Sequence, residues 1–200
     1  MRDPDRNDEK NTSILLTRGD VESLVCTLIA EQESTSRLRL LHLKRDGANA
    51  GQRERSARLQ AELMEQDLEI MPPNNHLPPM AQELGLALQA VEGSGVVIWP
   101  LRCGPDATAV AEGLELARHM SHAWSLSTRQ EPISILTPII DLDECQVLEL
   151  ALDLNGPLGA SWPCEEGGAA PCGDCEGCQP WRSAAEKLAQ EWPLGALQPS

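Results

Sequence analysis

Short apolar runs alternate with stretches of helical spacing along most of this 200-residue chain, and no other feature limits its fold so strongly. The run Ser13-Ile14-Leu15-Leu16 ends in Thr17-Arg18-Gly19-Asp20, and Val21 to Ala30 then carries apolar residues at helical intervals. Leu38 to Leu43 is a second run, followed by a polar loop through Gly51 and by Arg53 to Gln66, with Leu59, Leu63 and Met64 on one helical face. Leu68 to Met71 reads as a third strand before the Pro-rich loop Pro72 to Pro79, and Met80 to Val91 repeats Leu84, Leu88 and Val91 at helical spacing. Gly95 to Trp99 is a fourth strand, Asp106 to Met120 a helix with Asp106 as its N-cap, and Ile133 to Ile140 a fifth run broken by Pro138. Asp143 to Leu154 is helical again. Strands that alternate with helices in units of this length pair in parallel through crossovers, with helices on both faces. The pattern predicts an α/β fold, a doubly wound parallel sheet of Rossmann-like type. Its ligand crevice is expected at the C-terminal strand ends, lined by Arg18 to Ser23 and the loops after Leu43 and Trp99.

A chain of this size with 41% hydrophobic residues buries one core. The expected divisions are a disordered stretch 1–11, the α/β domain 12–154, a C-terminal segment with a helix over 155–192, and a tail 193–200. Tyr and Phe are absent, so Leu, Ile, Val and Ala build the core, and the five Trp do not form the aromatic and basic run that a single-stranded nucleic-acid binder uses. The net charge of -15 repels phosphate backbones and anionic lipid, so no direct nucleic-acid or membrane partner is expected. No apolar run reaches the roughly 18 residues that span a bilayer, and the polar opening lacks the core of a secretory signal, which points to a cytoplasmic protein. One basic stretch stands out, from Arg37 to Arg58, which is either a solvated face or a patch that draws in a small anion.

Four of the seven cysteines, Cys164, Cys172, Cys175 and Cys178, fall in a Gly- and Pro-rich segment too poor in apolar periodicity to hold itself by packing. A C-x2-C step lets two thiolates of one turn reach the same ion, and Zn²⁺ takes four tetrahedral ligands at about 2.3 Å. Gly167, Gly168, Gly173 and Gly177 free the turns between them. A set of disulfides does not suit a reducing compartment, and an iron–sulfur cluster is the remaining alternative for the same thiolates. Four sulfurs close the coordination sphere, so a structural Zn²⁺ is expected. Cys26, Cys103 and Cys145 stand alone and read as small packing residues.

The stretch Pro157-Leu158, Ser161-Trp162-Pro163-Cys164, Gly167-Gly168, Pro171-Cys172-Gly173-Asp174-Cys175-Glu176-Gly177-Cys178 and Arg182 resembles the zinc-binding end of the 7-cyano-7-deazaguanine synthases of queuosine biosynthesis. Pro138-Ile139-Ile140-Asp141-Leu142, Gly51-Gln52-Arg53 and Pro105-Asp106 are similar to shorter motifs of that family, in the same order. The resemblance implies a PP-loop fold and an ATP-dependent ligase that converts 7-carboxy-7-deazaguanine to the nitrile. It also implies ATP and Mg²⁺ as cofactors, a small 7-deazaguanine-type substrate, a homodimer, and Gln52, Arg53 and Asp106 as substrate contacts.

At the nucleotide loop the chain departs from the family. Where family members carry Ser-Gly-Gly-x-Asp-Ser, this chain reads Arg18-Gly19-Asp20-Val21-Glu22-Ser23, and Glu54 replaces the His after Gly-Gln-Arg. A phosphate cradle offers N–H donors at close backbone approach, and Asp20 adds a side chain and a negative charge at that place. Arg18 and Mg²⁺ are the elements able to offset it. Three functions therefore stand as alternatives. They are an active synthase, a non-catalytic relative that binds a small anionic ligand or a protein partner, and an unrelated zinc-stapled interaction domain.

Overall fold

Alternate residues of the first strand pack against different helices, which is why Ile14, Leu15 and Leu16 are apolar in succession. In the computed structural model, which describes residues 11–33, 37–72, 79–93, 95–191 and 194–195, Leu15 of β1 (Asn11–Thr17) joins a cluster with α1 (Val21–Glu33) on one face of the sheet. Ile14 and Leu16 join a second cluster on the other. The first cluster also holds Leu38 and Leu40 of β2 (Arg37–Leu43), Ala61 of α2 (Ala50–Leu63), and residues of α5 (Glu144–Asp153) and α6 (Gln179–Lys187). The second holds Leu84, Ala87 and Leu88 of α3 (Pro79–Ala90) and Ala117 of α4 (Ala107–Thr128).

With β3 (Asp67–Met71), β5 (Val97–Ile98) and β6 (Ile135–Leu136), the strand order is β3-β2-β1-β5-β6, all parallel. A two-residue rung, β4 (Glu92–Gly93), pairs antiparallel with Asn11 and Thr12. Chain order runs outward from β1 in one direction and then the other, so the sheet reverses at β1 and β5, as a doubly wound fold does. The loops after β1, β2 and β5 therefore leave the same edge of the sheet. Among the described residues no helix is long and apolar enough to cross a membrane.

Three features differ from the sequence pattern. The run Ile133 to Ile140 contributes only two ladder residues, since Leu136 is exposed and Pro138 cannot donate to a ladder. The helix begun at Asp106 runs on to Thr128 and stops at Arg129, whose φ of 58° is left-handed without a glycine to announce it. β4 has no apolar signal at all. The disorder expected over 1–11 and 193–200 lies outside the described residues except for Asn11, which is in β1, and Leu194 and Gly195.

The C-terminal helix is bound to the main core by packing and by charge. Trp181, Ala184 and Ala185 of α6 are buried in the cluster that holds Val147, Leu148 and Ala151 of α5. Arg102, after β5, lies over the Trp181 ring, 5.4 Å from its centroid, and pairs with Glu22 of α1 at 3.1 Å and Glu144 of α5 at 2.9 Å. Burial and the nearby Asp20 carboxylate push the Glu22 carboxyl up to about 7, and Arg102 offsets only part of this. A carboxyl raised on folding keeps a proton that the unfolded chain has released, so its stabilising share is full below about pH 4.5 and is lost as pH rises through about 7. Urea unfolding should therefore show stability falling across that window relative to Glu22→Gln, by up to about 3 kcal/mol. Parallel pH profiles for the two proteins would show instead that Arg102 keeps Glu22 ionised.

Candidate functional site

The four clustered cysteines converge. Their sulfurs all lie within 4.8 Å of one another, with Cys164 Sγ 3.6 Å from Cys172 Sγ and 3.9 Å from Cys175 Sγ. Sulfurs bound tetrahedrally at about 2.3 Å to one ion stand about 3.8 Å apart, so the set fits a single metal ion such as zinc. None of the four is in a disulfide. A four-iron cluster places a different iron under each thiolate and needs wider sulfur separations than these. Cys164 and Cys178 are buried, and Cys178 opens α6, with its N–H and that of Gln179 donating to the Cys175 carbonyl at 2.9 and 3.0 Å. Although burial pushes its thiol up, Cys175 is brought down to about 6 by the Glu165 N–H and the neighbouring cysteines.

This segment is seated on the first loop and on α2. Trp162 N–H donates to the Gly19 carbonyl at 2.8 Å, and Gln60 Nε2 donates at 3.0 Å both to the Asp20 carbonyl and to Ser161 Oγ. Asn49 Nδ2 donates to the Cys164 carbonyl at 3.1 Å, and Gln52 Nε2 donates to the Gly168 carbonyl. A Cβ on Gly167 would stand 2.5 Å from the Ala48 carbonyl oxygen, so this contact requires glycine.

The loop Arg18 to Ser23 satisfies its own donors. Asp20 caps α1, for its Oδ1 accepts from Ser23 N–H at 2.9 Å and from Ser23 Oγ at 2.5 Å. Arg18 N–H donates to Ser23 Oγ at 3.0 Å and Gly19 N–H to Thr17 Oγ1 at 3.2 Å. Gly19, at φ 71°, lies so close to α2 that a Cβ would stand 2.4 Å from the Arg53 carbonyl oxygen. Its glycine thus serves helix packing, whatever else approaches the loop. The Arg18 guanidinium pairs with Glu83 at 2.8 Å, and Arg45 pairs with the same carboxylate, whose side chain is 3% exposed.

A cleft of about 340 Å³ opens beside this loop at the C-terminal ends of β1 and β2. Arg18, His42, Arg45, Asn49, Arg53 and Glu165 line it, so the crevice includes the first two expected loops and the metal segment. The loop after Trp99 turns instead to α1 and α5 through Arg102. Of the three candidate substrate contacts, only Arg53 faces the cleft. Gln52 holds Gly168, and Asp106 caps α4 by accepting from Thr108 and Ala109 N–H at 2.9 and 3.2 Å. The basic stretch divides likewise. Arg37, Lys44 and Arg58 pair with Asp67 and Glu54 on the surface, while Arg45 and Arg53 face the cleft. Cys26 is a core residue whose thiol burial pushes well up, Cys103 Sγ donates to the Ala109 carbonyl at 3.4 Å, and Cys145 packs at the edge of the core.

Sequence reasoning did not single out Glu83 or His42. The signal was a polar residue at a core position. Glu83 adjoins Leu84 on the buried side of α3, and His42 falls in phase with Leu38 and Leu40 in a buried strand.

Comparison with known proteins agrees with this geometry. Residues 109–189 match the family model described as queuosine biosynthesis protein QueC. A 7-cyano-7-deazaguanine synthase of Prochlorococcus marinus (strain MIT 9312) is 35% identical over 107 residues, which cover 54% of this chain and 44% of that protein. The synthase of Methanosarcina barkeri (strain Fusaro / DSM 804) is 38% identical over 65 residues, 32% of this chain and 28% of the relative. That of Nostoc sp. (strain PCC 7120 / SAG 25.82 / UTEX 2576) is 30% identical over 118 residues, 57% and 46%. The matches span less than half the length of these relatives. Over the matched residues, which include the cysteine cluster, the chain is similar to the 7-cyano-7-deazaguanine synthases.

Proposed function

We propose that the chain is a 7-cyano-7-deazaguanine synthase-like protein, stapled by a structural Zn²⁺, in which the ATP chemistry of the PP-loop family is weak or lost. The observation that carries this reading is the state of its first loop. A pyrophosphate is held by N–H groups free to point at it, and here those of Arg18, Gly19 and Ser23 already have side-chain acceptors. Asp20 adds repulsion. Two unit charges about 4 Å apart interact by roughly 4 kcal/mol at an effective dielectric near 20, about three decades in affinity. Arg18, the cation best placed to compensate, is bound to Glu83. The alternative of a non-catalytic relative that takes a small anion draws on the same facts, together with the cleft beside the loop.

Titration calorimetry with ATP and Mg²⁺ tests the loop. The wild-type chain should show no micromolar binding and release no AMP in the presence of 7-carboxy-7-deazaguanine. Asp20→Gly should gain affinity at little cost in stability, because glycine replaces an N-cap for a few tenths of a kcal/mol. Micromolar ATP binding with substrate-dependent AMP release from the wild type would refute the reading.

The metal is tested separately. Purified protein should carry about one zinc per chain, and Cys175→Ser should lose it. Since metal affinity at such a site is folding free energy, hydrogen exchange in that variant should quicken over residues 161–187 and also at Gly19 and Asp20, which the segment holds. Iron in place of zinc, or exchange confined to the cysteine turns, would contradict this.

A further inference from the structure

Between α1 and the C-terminal helix, one guanidinium serves more carboxylates than it can neutralise. Arg102 Nε donates to Glu22 Oε1 at 3.1 Å, and its Nη1 pairs with Glu144 at 2.9 Å. Asp20 is a third carboxylate, close enough that its charge adds to burial in pushing the Glu22 carboxyl up to about 7. Cys26, one turn further along α1, is kept neutral by burial, and burial also raises the Cys103 thiol beside Arg102. Arg182 of α6 pairs with Asp174 and Glu186 instead. Three carboxylates around one cation favour a proton on Glu22, whose side chain is 16% exposed.

The same guanidinium holds α6. It lies over the Trp181 ring, 5.4 Å from the centroid. This helix has nine residues and no side-chain cap at Cys178, and a helix so short is unstable by itself. It is kept in place by burial of Trp181, Ala184 and Ala185. By contrast, α5 has a complete capping box and buries Val147, Leu148 and Ala151 in the core shared with α1. Of the two helices that meet Arg102, α6 is therefore the one expected to open first.

We propose that α6, with the cysteine turns that precede it, is a pH-sensitive latch, held to α1 through Arg102 while Glu22 is protonated and loosened when Glu22 ionises. Linkage fixes the sign. Lifting Trp181 opens Arg102 and Glu22 to water, where the Glu22 carboxyl returns towards its ordinary value of 4.5 and loses its O–H proton to solvent. A proton held more tightly in the closed state stabilises that state fully below about pH 4.5, and this share is lost as pH rises through about 7. Metal binding by thiolates runs in the opposite sense, because it tightens as pH rises. Loosening on the alkaline side therefore does not come from the cysteines. Nor does the latch depend on whether the first loop binds ATP.

The test is hydrogen exchange of the metal-loaded full chain, wild type against Glu22→Gln, at about pH 5.5 and about pH 8. At the lower pH, peptides from Gln179–Lys187 should exchange alike in the two proteins. At the higher pH those of the wild type should exchange about tenfold faster or more, with β1 and β2 unchanged between the proteins. Arg102→Gln should loosen α6 at both pH values. Equal exchange of the wild type and Glu22→Gln at both pH values would overturn the proposal, as would a difference shared by β1 and β2, which marks an effect on the whole fold. So would α6 exchange unchanged in Arg102→Gln. Should the variants fail to fold, the wild type decides alone. Its α6 exchange relative to β2, corrected for intrinsic rates, should rise about tenfold or more between the two pH values, and a constant ratio would sink the latch.

Discussion

Gly19 is the point on which the rest of the structure depends. Its left-handed backbone turns the chain from β1 into α1, and its missing side chain lets the backbone of α2 approach at Arg53 and Ala57. Its carbonyl receives Trp162 N–H from the metal segment. Any side chain here would separate three elements at once, so the residue at the head of the loop is fixed by packing before any ligand is considered. A glycine fixed in this way is no sign of phosphate binding.

The same economy explains what became of the neighbouring polar groups. Asp20 gives α1 a cap and takes up the Ser23 N–H, and the buried Glu83 carboxylate gathers two partly exposed arginines. Breaking a buried pair by removing one partner leaves an uncompensated charge, so such a cluster resists piecemeal change. Fold and loop have become mutually supporting, and the loop is now part of the scaffold.

Much of this could be read from the residues. β1 and β2 were legible because both faces of each are buried, so their runs are nearly continuous in Leu and Ile. The cysteine set was legible because ligand spacing is local. β4 was not, since its two residues pair by backbone alone, and the end of α4 was not, because Arg129 adopts a left-handed conformation that usually selects glycine or asparagine. The site was read in part. Asp20 was visible as an unwelcome charge, but its capping role depends on where Ser23 points. The meeting of Arg18, Arg45 and Glu83 joins a strand end, a loop and a distant helix, and no local pattern encodes it. Gln52 and Asp106 showed the converse, short motifs whose side chains serve a loop and a helix end.

The hydrogen bond from Trp162 to Gly19 also bears on the order in which the molecule can be made. The two residues lie 143 positions apart, and closing so long a loop carries an entropic cost that only late contacts repay. During synthesis the first strand and helix emerge early, yet their connecting loop stays short of one partner until the cysteine segment has left the ribosome and folded. The loop between β1 and α1 is thus finished last.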